Sequence, residues 1–328
     1  MAVSKKMKAL YMSFFDGMET WCANRISNFQ ERRNLRKWCP KEPIPSSYKK
    51  EIKAFWKKYR KVSPKWAWYY ASKNGILDPR YIPHDLYYSI IDQHFNSRKL
   101  GYGFNDKNYY SKIFANIRQP QTIIRNIGGI YLDSDYQIIS QKKCLERILE
   151  NKEVICKPTQ ESGSGRGILF WNNSQINEIE DFLNDSSNKD FIVQQLICQH
   201  EALSRINPTS VNTIRICSLL CPDKVIVLSS CLRMGVGLSR VDNHHAGGMS
   251  CGINEDGTLD KYAYYMDGTK VATHPNGVVF EGYNVPSYNK IVELVREAHQ
   301  IIGNFKLVGW DIAVDKKAFP FNGNVLDG

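Results

Sequence analysis

Val154-Ile155-Cys156-Lys157-Pro158 is followed, three residues later, by Ser162-Gly163-Ser164-Gly165-Arg166-Gly167-Ile168. The first run reads as a strand that presents a single lysine. The glycines of the second free successive backbone N–H groups to converge on an anion, so strand and loop together suit a polyphosphate with Lys157 as a point charge. The order is not that of a Walker A loop, because the lysine precedes the glycines and Gly-x4-Gly-Lys-Ser/Thr is absent. Taken alone, the loop reads equally well as a Gly/Ser-rich hairpin turn. The pieces around it have to decide.

Working outward, β-branched and aromatic runs alternate with amphipathic stretches and Gly-rich turns. Strands are expected at Ile123–Ile124, Ile130–Leu132, Val154–Lys157, Ile168–Trp171 and Phe191–Leu196, and helices over Gln141–Asn151 and Ser174–Leu183. This predicts an α/β or α+β body beginning near residue 100, after the turn-rich stretch with Asp78-Pro79 and Pro83-His84. The strand Phe191-Ile192-Val193-Gln194-Gln195-Leu196-Ile197 runs into polar residues, as an edge that reads an adenine through backbone groups does. Ile291, Leu294, Val295, Ala298, Ile301 and Ile302 recur at helical spacing and are expected in the core.

Asn105-Asp106-Lys107, Ser210-Val211-Asn212-Thr213-Ile214-Arg215-Ile216, Val241-Asp242-Asn243 before Gly247-Gly248, and Gly309-Trp310-Asp311 complete the series. In this order, over roughly residues 60–328, the chain resembles the sugar-transfer-associated ATP-grasp family. The resemblance implies an α+β ATP-grasp fold in which two α+β subdomains grip ATP: a lid over about 120–196 and a large catalytic subdomain over about 197–328, behind a basic helical N-terminal region over 1–100. It implies ATP and Mg²⁺ as cofactors. Lys107 and Lys157 match the lysines on the ATP phosphates, and Ser162, Gly163, Ser164, Gly165 and Gly167 match the lid loop over them. Gln195, Leu196, Ile197 and Glu201 fall at the nucleotide edge.

Arg215 matches the arginine near the γ-phosphate, with Arg233 and Asn212 beside it as catalytic candidates; ordinary ion pairing is the competing explanation for the arginines. Asp311, Asn322 and Asn324 match the metal positions, where hard oxygen ligands suit Mg²⁺. The family pattern has a glutamate where this chain has Asn322, which lowers the ligand charge and predicts weaker cation binding. A short final strand is also expected, since the sequence ends four residues past Asn324; Asp315 is a candidate substitute ligand. Asn243, His245, Gly247 and Gly248 form the expected substrate loop. His244-His245 suggests no metal site, because neighbours on an extended strand point apart and no third ligand lies at a natural spacing. A loop histidine there is a candidate proton carrier, and His274-Pro275-Asn276-Gly277 is first a turn.

The implied activity is ligation of a carboxylate to an amine through an acyl phosphate, on a sugar or glycan precursor of surface polysaccharide. The alternative is a catalytically impaired nucleotide-binding homologue with a regulatory or scaffold role.

Charge separates the N-terminal region from the rest. The chain of 328 residues carries +11 overall, and residues 1–70 alone hold 17 Lys/Arg against 5 Asp/Glu, together with 14 aromatics. Leu10, Tyr11, Phe14, Phe15, Met18 and Cys22, and again Ile52, Phe55, Trp56 and Tyr59, recur at helical steps, with Lys49, Lys50, Lys53, Lys57, Lys58 and Lys61 opposite the second set. Such helices either pack apolar-side-in or lie on an anionic membrane surface; nucleic acid is disfavoured, because no base-reading motif accompanies the charge. No membrane span or signal peptide is predicted. Nine scattered cysteines without a Cys-x-x-Cys pair argue against zinc ribbons and thioredoxin chemistry and fit a reduced, cytoplasmic protein. The expected location is therefore cytoplasmic, with peripheral contact at the inner face of the membrane as one reading of the basic region.

Overall fold

The computed structural model describes residues 29, 33–96, 101, 103–160, 165–317 and 320–325. The chain divides into two compact units, residues 1–95 and 96–328. The expected helix around Leu10 to Cys22 and the loop residues Ser162, Gly163 and Ser164 lie outside the described residues.

In the first unit, α1 (Ser46–Trp56) turns Tyr48, Ile52 and Trp56 inward at four-residue steps. They pack with Ala67 and Ala71 of α2 (Pro64–Asn74) and with Leu86 in one small core. Pro64 opens α2 with its pre-set φ, and Gly75 closes it at φ +78, its N–H bonding Ala71 O. The Tyr48 hydroxyl donates to Asp78 O at 2.8 Å and Trp56 Nε1 to Pro79 O at 3.0 Å, so each buried aromatic satisfies its polar atom on the following loop. The helix ends at Trp56, one turn short of the expected stripe. Tyr59 is 62% exposed instead of buried, and Lys58 Nζ lies 4.8 Å from its ring.

The second unit holds two antiparallel sheets. The first, ordered β2-β1-β5-β3-β4, comprises β1 (Thr122–Ile127), β2 (Ile130–Asp133), β3 (Glu153–Pro158), β4 (Leu169–Asn172) and β5 (Phe191–Gln195). Helices α3 (Gln141–Leu149) and α4 (Ile176–Asn184) pack on it, with Cys144, Ile148, Ile179 and Leu183 meeting Ile124, Val154, Trp171 and Val193. Ser140 caps α3, its Oγ accepting the Lys143 N–H at 3.3 Å.

The second sheet runs β10-β9-β8-β7-β6-β11-β12: β6 (Thr213–Leu220), β7 (Val225–Met234), β8 (Met249–Ile253), β9 (Leu259–Tyr265), β10 (Lys270–Val271), β11 (Leu307–Val314) and β12 (Pro320–Val325). The short helix α5 (Glu201–Ile206) precedes β6, and α6 (Tyr288–Ile301) lays Ile291, Val295 and Ala298 against Ile214, Ile216, Leu232 and Trp310. Ile301, expected in that core, is 46% exposed at the helix end, whereas Ile302 is buried. Every strand pairing is antiparallel, with helices added to the sheets, so the fold is α+β rather than a parallel α/β sheet.

Candidate active site

A cleft opens between the two sheets of the second unit, lined on its apolar sides by Ile155, Phe170, Leu196, Ile197, Val211 and Ala313. Lys107, Lys157, Arg233, Asp242, Asn243 and Asp311 line it with polar groups. The strands explain why residues so far apart in sequence meet. β3 carries Lys157 to its end, and the short helical turn Lys107–Tyr109 is tied to that end by the Lys107 N–H bonding Thr159 O at 3.1 Å. Asp106 fixes the turn by accepting the Asn108 N–H at 2.9 Å. Lys157 Nζ reaches Gln194 Oε1 at 3.4 Å, while Lys107 Nζ reaches Thr159 O, also at 3.4 Å. Burial, and secondarily the charge of Lys107, depress the Lys157 amine to about 8. A buried ammonium group that feels the charge of a second one favours an anion beside it.

Gly165 and Gly167 end the lid loop, both at φ +71. At Gly167 a Cβ would lie 2.8 Å from Pro158 Cγ, so the loop can turn back onto the strand only because this residue has no side chain.

On the facing sheet, β11 and β6 pair so that Asp311 sits opposite Arg215. Arg215 grips both carboxylate oxygens, Nε to Oδ1 at 2.6 Å and Nη2 to Oδ2 at 3.0 Å, and Arg233 Nη1 touches both at 3.2 Å. Arg233 and Asp311 face the cleft; Arg215 is joined to it through Asp311. Asp242 accepts from the Thr213 N–H at 3.0 Å and from the Thr213 hydroxyl. Burial pushes its carboxyl up, with Arg233 pulling the other way. On β12, Asn324 lies in register with Asp311 and Asn322 with Ile312, so the two asparagines occupy the strand positions beside the carboxylate.

Several expected site residues do other work. Asn212 is fully buried, its amide donating to Gln199 Oε1 at 3.1 Å, Leu203 O at 2.9 Å and Asn207 O at 3.0 Å, while its Oδ1 accepts the Gly235 N–H at 3.3 Å. Its polar atoms knit the approach to β6 together, and it is not among the residues that line the cleft. Glu201 is exposed at the start of α5 and pairs with Arg205 at 2.5 Å, a helical turn away and outside the cleft lining. Asn243 lines the cleft with its side chain bonded to the His245 N–H at 2.9 Å. His245 and Gly247 are exposed beyond it. Gly248 is a packing glycine: a Cβ there would lie 2.8 Å from both Asn243 O and Met234 O. Asp315 is engaged by Arg118 at 2.6 Å, and His274 is buried with Nε2 3.0 Å from Gly235 O.

Arg240 and Thr213 escaped the sequence reading. Arg240 Nη1 pairs with Glu153 Oε1 of β3 at 2.7 Å, and its guanidinium carbon lies 3.8 Å from the centre of the Phe170 ring on β4. It therefore ties the second sheet's loop to the lid sheet across the cleft. A single arginine in an irregular loop gives no periodic signal that could have marked it.

A model of the sugar-transfer associated ATP-grasp family matches residues 90–322. This chain belongs to that family. The two antiparallel sheets with the cleft between them are its ATP-grasp fold. No curated protein matches the sequence. Among solved structures, an L-amino acid ligase from Bacillus licheniformis is similar at 15% identity, covering 67% of this chain and 39% of its own, with a TM-score of 0.35. A D-alanyl-alanine synthetase A from Vibrio cholerae O1 biovar eltor str. N16961 is similar at 11% identity, covering 68% and 54%, with a TM-score of 0.39. This chain thus spans less than two thirds of the length of either structure.

Proposed function

We propose that this chain is an ATP- and Mg²⁺-dependent carboxylate–amine ligase that works through an acyl phosphate on a sugar or glycan precursor of surface polysaccharide. The observation that carries the reading is that Lys107, Lys157, Arg233 and Asp311 line one cleft together with the apolar residues Ile155, Phe170, Leu196, Ile197, Val211 and Ala313. The apolar walls suit a purine, and the cations suit its phosphates. A substrate carboxylate oxygen attacks the γ-phosphorus, ADP leaves, and an amine then displaces phosphate from the acyl phosphate to give the amide. Lys107, Lys157 and Arg233 take up the charge that develops on the phosphate oxygens, which is the larger part of catalysing phosphoryl transfer. The arrangement needs no protein nucleophile.

Asp311, Asn322 and Asn324 supply only oxygen and amide donors, the kind Mg²⁺ accepts, and would hold the ion against the phosphates. The ion neutralises phosphate charge when bound. Asp311 brings the one negative charge of the three, and both its oxygens already accept from Arg215 and Arg233. That observation favours a second reading, a nucleotide-binding homologue with impaired turnover. Phosphate release separates the two. Incubation with ATP and panels of carboxylates and amines should yield ADP and phosphate in step with amide; ATP binding without turnover across the panels supports the second reading, and absence of ATP binding overturns both.

A further inference from the structure

We propose that the helical unit over residues 33–95 binds anionic lipid surfaces. Residues 33–73 contain 13 Lys/Arg and 2 Glu, and all of the cations except Lys73 are exposed. Among the described residues none of the exposed twelve enters an ion pair, whereas Arg80 pairs with Asp78 at 2.6 Å. So many uncompensated cations on one small body repel one another, and a negatively charged surface removes that repulsion.

The helix α1 shows how the charge is organised. Tyr48, Ile52 and Trp56 fill the inward face, which leaves Lys50, Lys53 and Lys57 on the outward one with Lys49 and Lys58 beside them. The helix is thus already folded against its own core, and its basic face is what remains for a partner. Exposed apolar residues accompany it: Tyr59 at 62%, Ile76 at 59%, Leu77 at 54% and Ile82 at 49%. Ile76 and Leu77 begin the loop that Tyr48 and Trp56 of α1 hold through Asp78 O and Pro79 O, so the apolar loop is anchored to the lysine-bearing helix.

Exposed lysines together with exposed aliphatic and tyrosine side chains on one small unit match the headgroup and upper acyl layers of a bilayer containing acidic lipids. A single-stranded nucleic acid would instead draw on several open aromatic faces for stacking, whereas Trp56 and Trp66 are buried and the exposed Tyr59 ring already carries Lys58 Nζ 4.8 Å from its centre. The inference is independent of the chemistry assigned to the cleft.

Sedimentation of the full chain with phosphatidylcholine vesicles, with and without roughly a third phosphatidylglycerol, tests it at about 0.1 M salt. Binding is expected only to the acidic vesicles, fading as salt rises. The triple variant Lys50→Glu, Lys53→Glu, Lys57→Glu should weaken it about tenfold or more. Ile76→Ser with Leu77→Ser should weaken it at all salt concentrations, because that contribution is not screened. Unchanged thermal unfolding of both variants shows that the body still folds. Binding to neither vesicle, equal binding to both, or salt-sensitive binding of single-stranded DNA without vesicle binding overturns the proposal.

Discussion

Asp311 and Arg215, 96 residues apart in sequence, face each other across β11 and β6 and share two hydrogen bonds of 2.6 and 3.0 Å. Planar, two-point pairing of this kind fixes both side chains as well as attracting them. With Arg233 at 3.2 Å, the carboxylate holds two guanidiniums in place, of which Arg233 lines the cleft. Replacing it by an amide, Asp311→Asn, leaves two largely buried cations without their shared anion. The variant should lose about 2 kcal/mol or more of stability, read by thermal unfolding in the absence of nucleotide. An unchanged midpoint would show that the pairing contributes nothing to the fold.

Lys157 gives the cleft a pH dependence. With its amine depressed to about 8 by burial and by Lys107, the group carries its charge below that pH and loses it above. ATP affinity should therefore fall as pH rises from about 7 to 9. The sign for stability is opposite: an unfolded lysine stays protonated to near its ordinary value, so the unfolded chain binds more protons between about 8 and 10.5, and this group's contribution to stability rises with pH across that window. Lys157→Ala should weaken ATP binding about tenfold or more, ~1.4 kcal/mol, and flatten the pH profile in titration calorimetry. Parent-like affinity would remove Lys157 from the phosphate site.

Asn322 stands on β12, the strand next to that of Asp311. Asn322→Glu adds a second negative charge to the donor set and should tighten Mg²⁺-dependent nucleotide binding. Thermal shifts with ATP, compared with and without Mg²⁺, report this through mass action. If the Mg²⁺ increment does not change, position 322 does not touch the ion.

Arg240 joins the lid sheet to the facing sheet through Glu153 and Phe170. The pair is partly exposed, with 43% and 35% of the side chains accessible, so its expected worth is modest, about 0.5–1 kcal/mol. Arg240→Ala, Glu153→Ala and the double variant form a cycle whose coupling in ATP affinity should match that figure, carried mainly by faster release of nucleotide. Additive effects would mean that the two side chains do not act together on closure.

Gly248→Ala should cost about 2 kcal/mol, because three backbone carbonyls crowd the position at 2.8 to 2.9 Å and none can move without shifting the turn after Asn243 or the end of β7. Chemical denaturation measures it; a parent-like midpoint would show that this turn yields freely.

By itself, the sequence determined the strands and helices of the first sheet and the apolar stripe of α1. β3 with Lys157, the glycine turn at Gly165 and Gly167, and the apolar stripe of α1 follow from local periodicity and backbone freedom, which act between residues a few positions apart. Tertiary structure decided which polar side chains reach the cleft. Asn212 and Glu201 carry suitable chemistry, yet one spends its amide on Gln199, Leu203 and Asn207 and the other pairs outward with Arg205. Arg240 enters because the two sheets face each other, and Arg215 meets Asp311 because β6 and β11 fall into register. Pairings of that kind depend on strand order and register across long stretches of chain, and no local pattern carries that information.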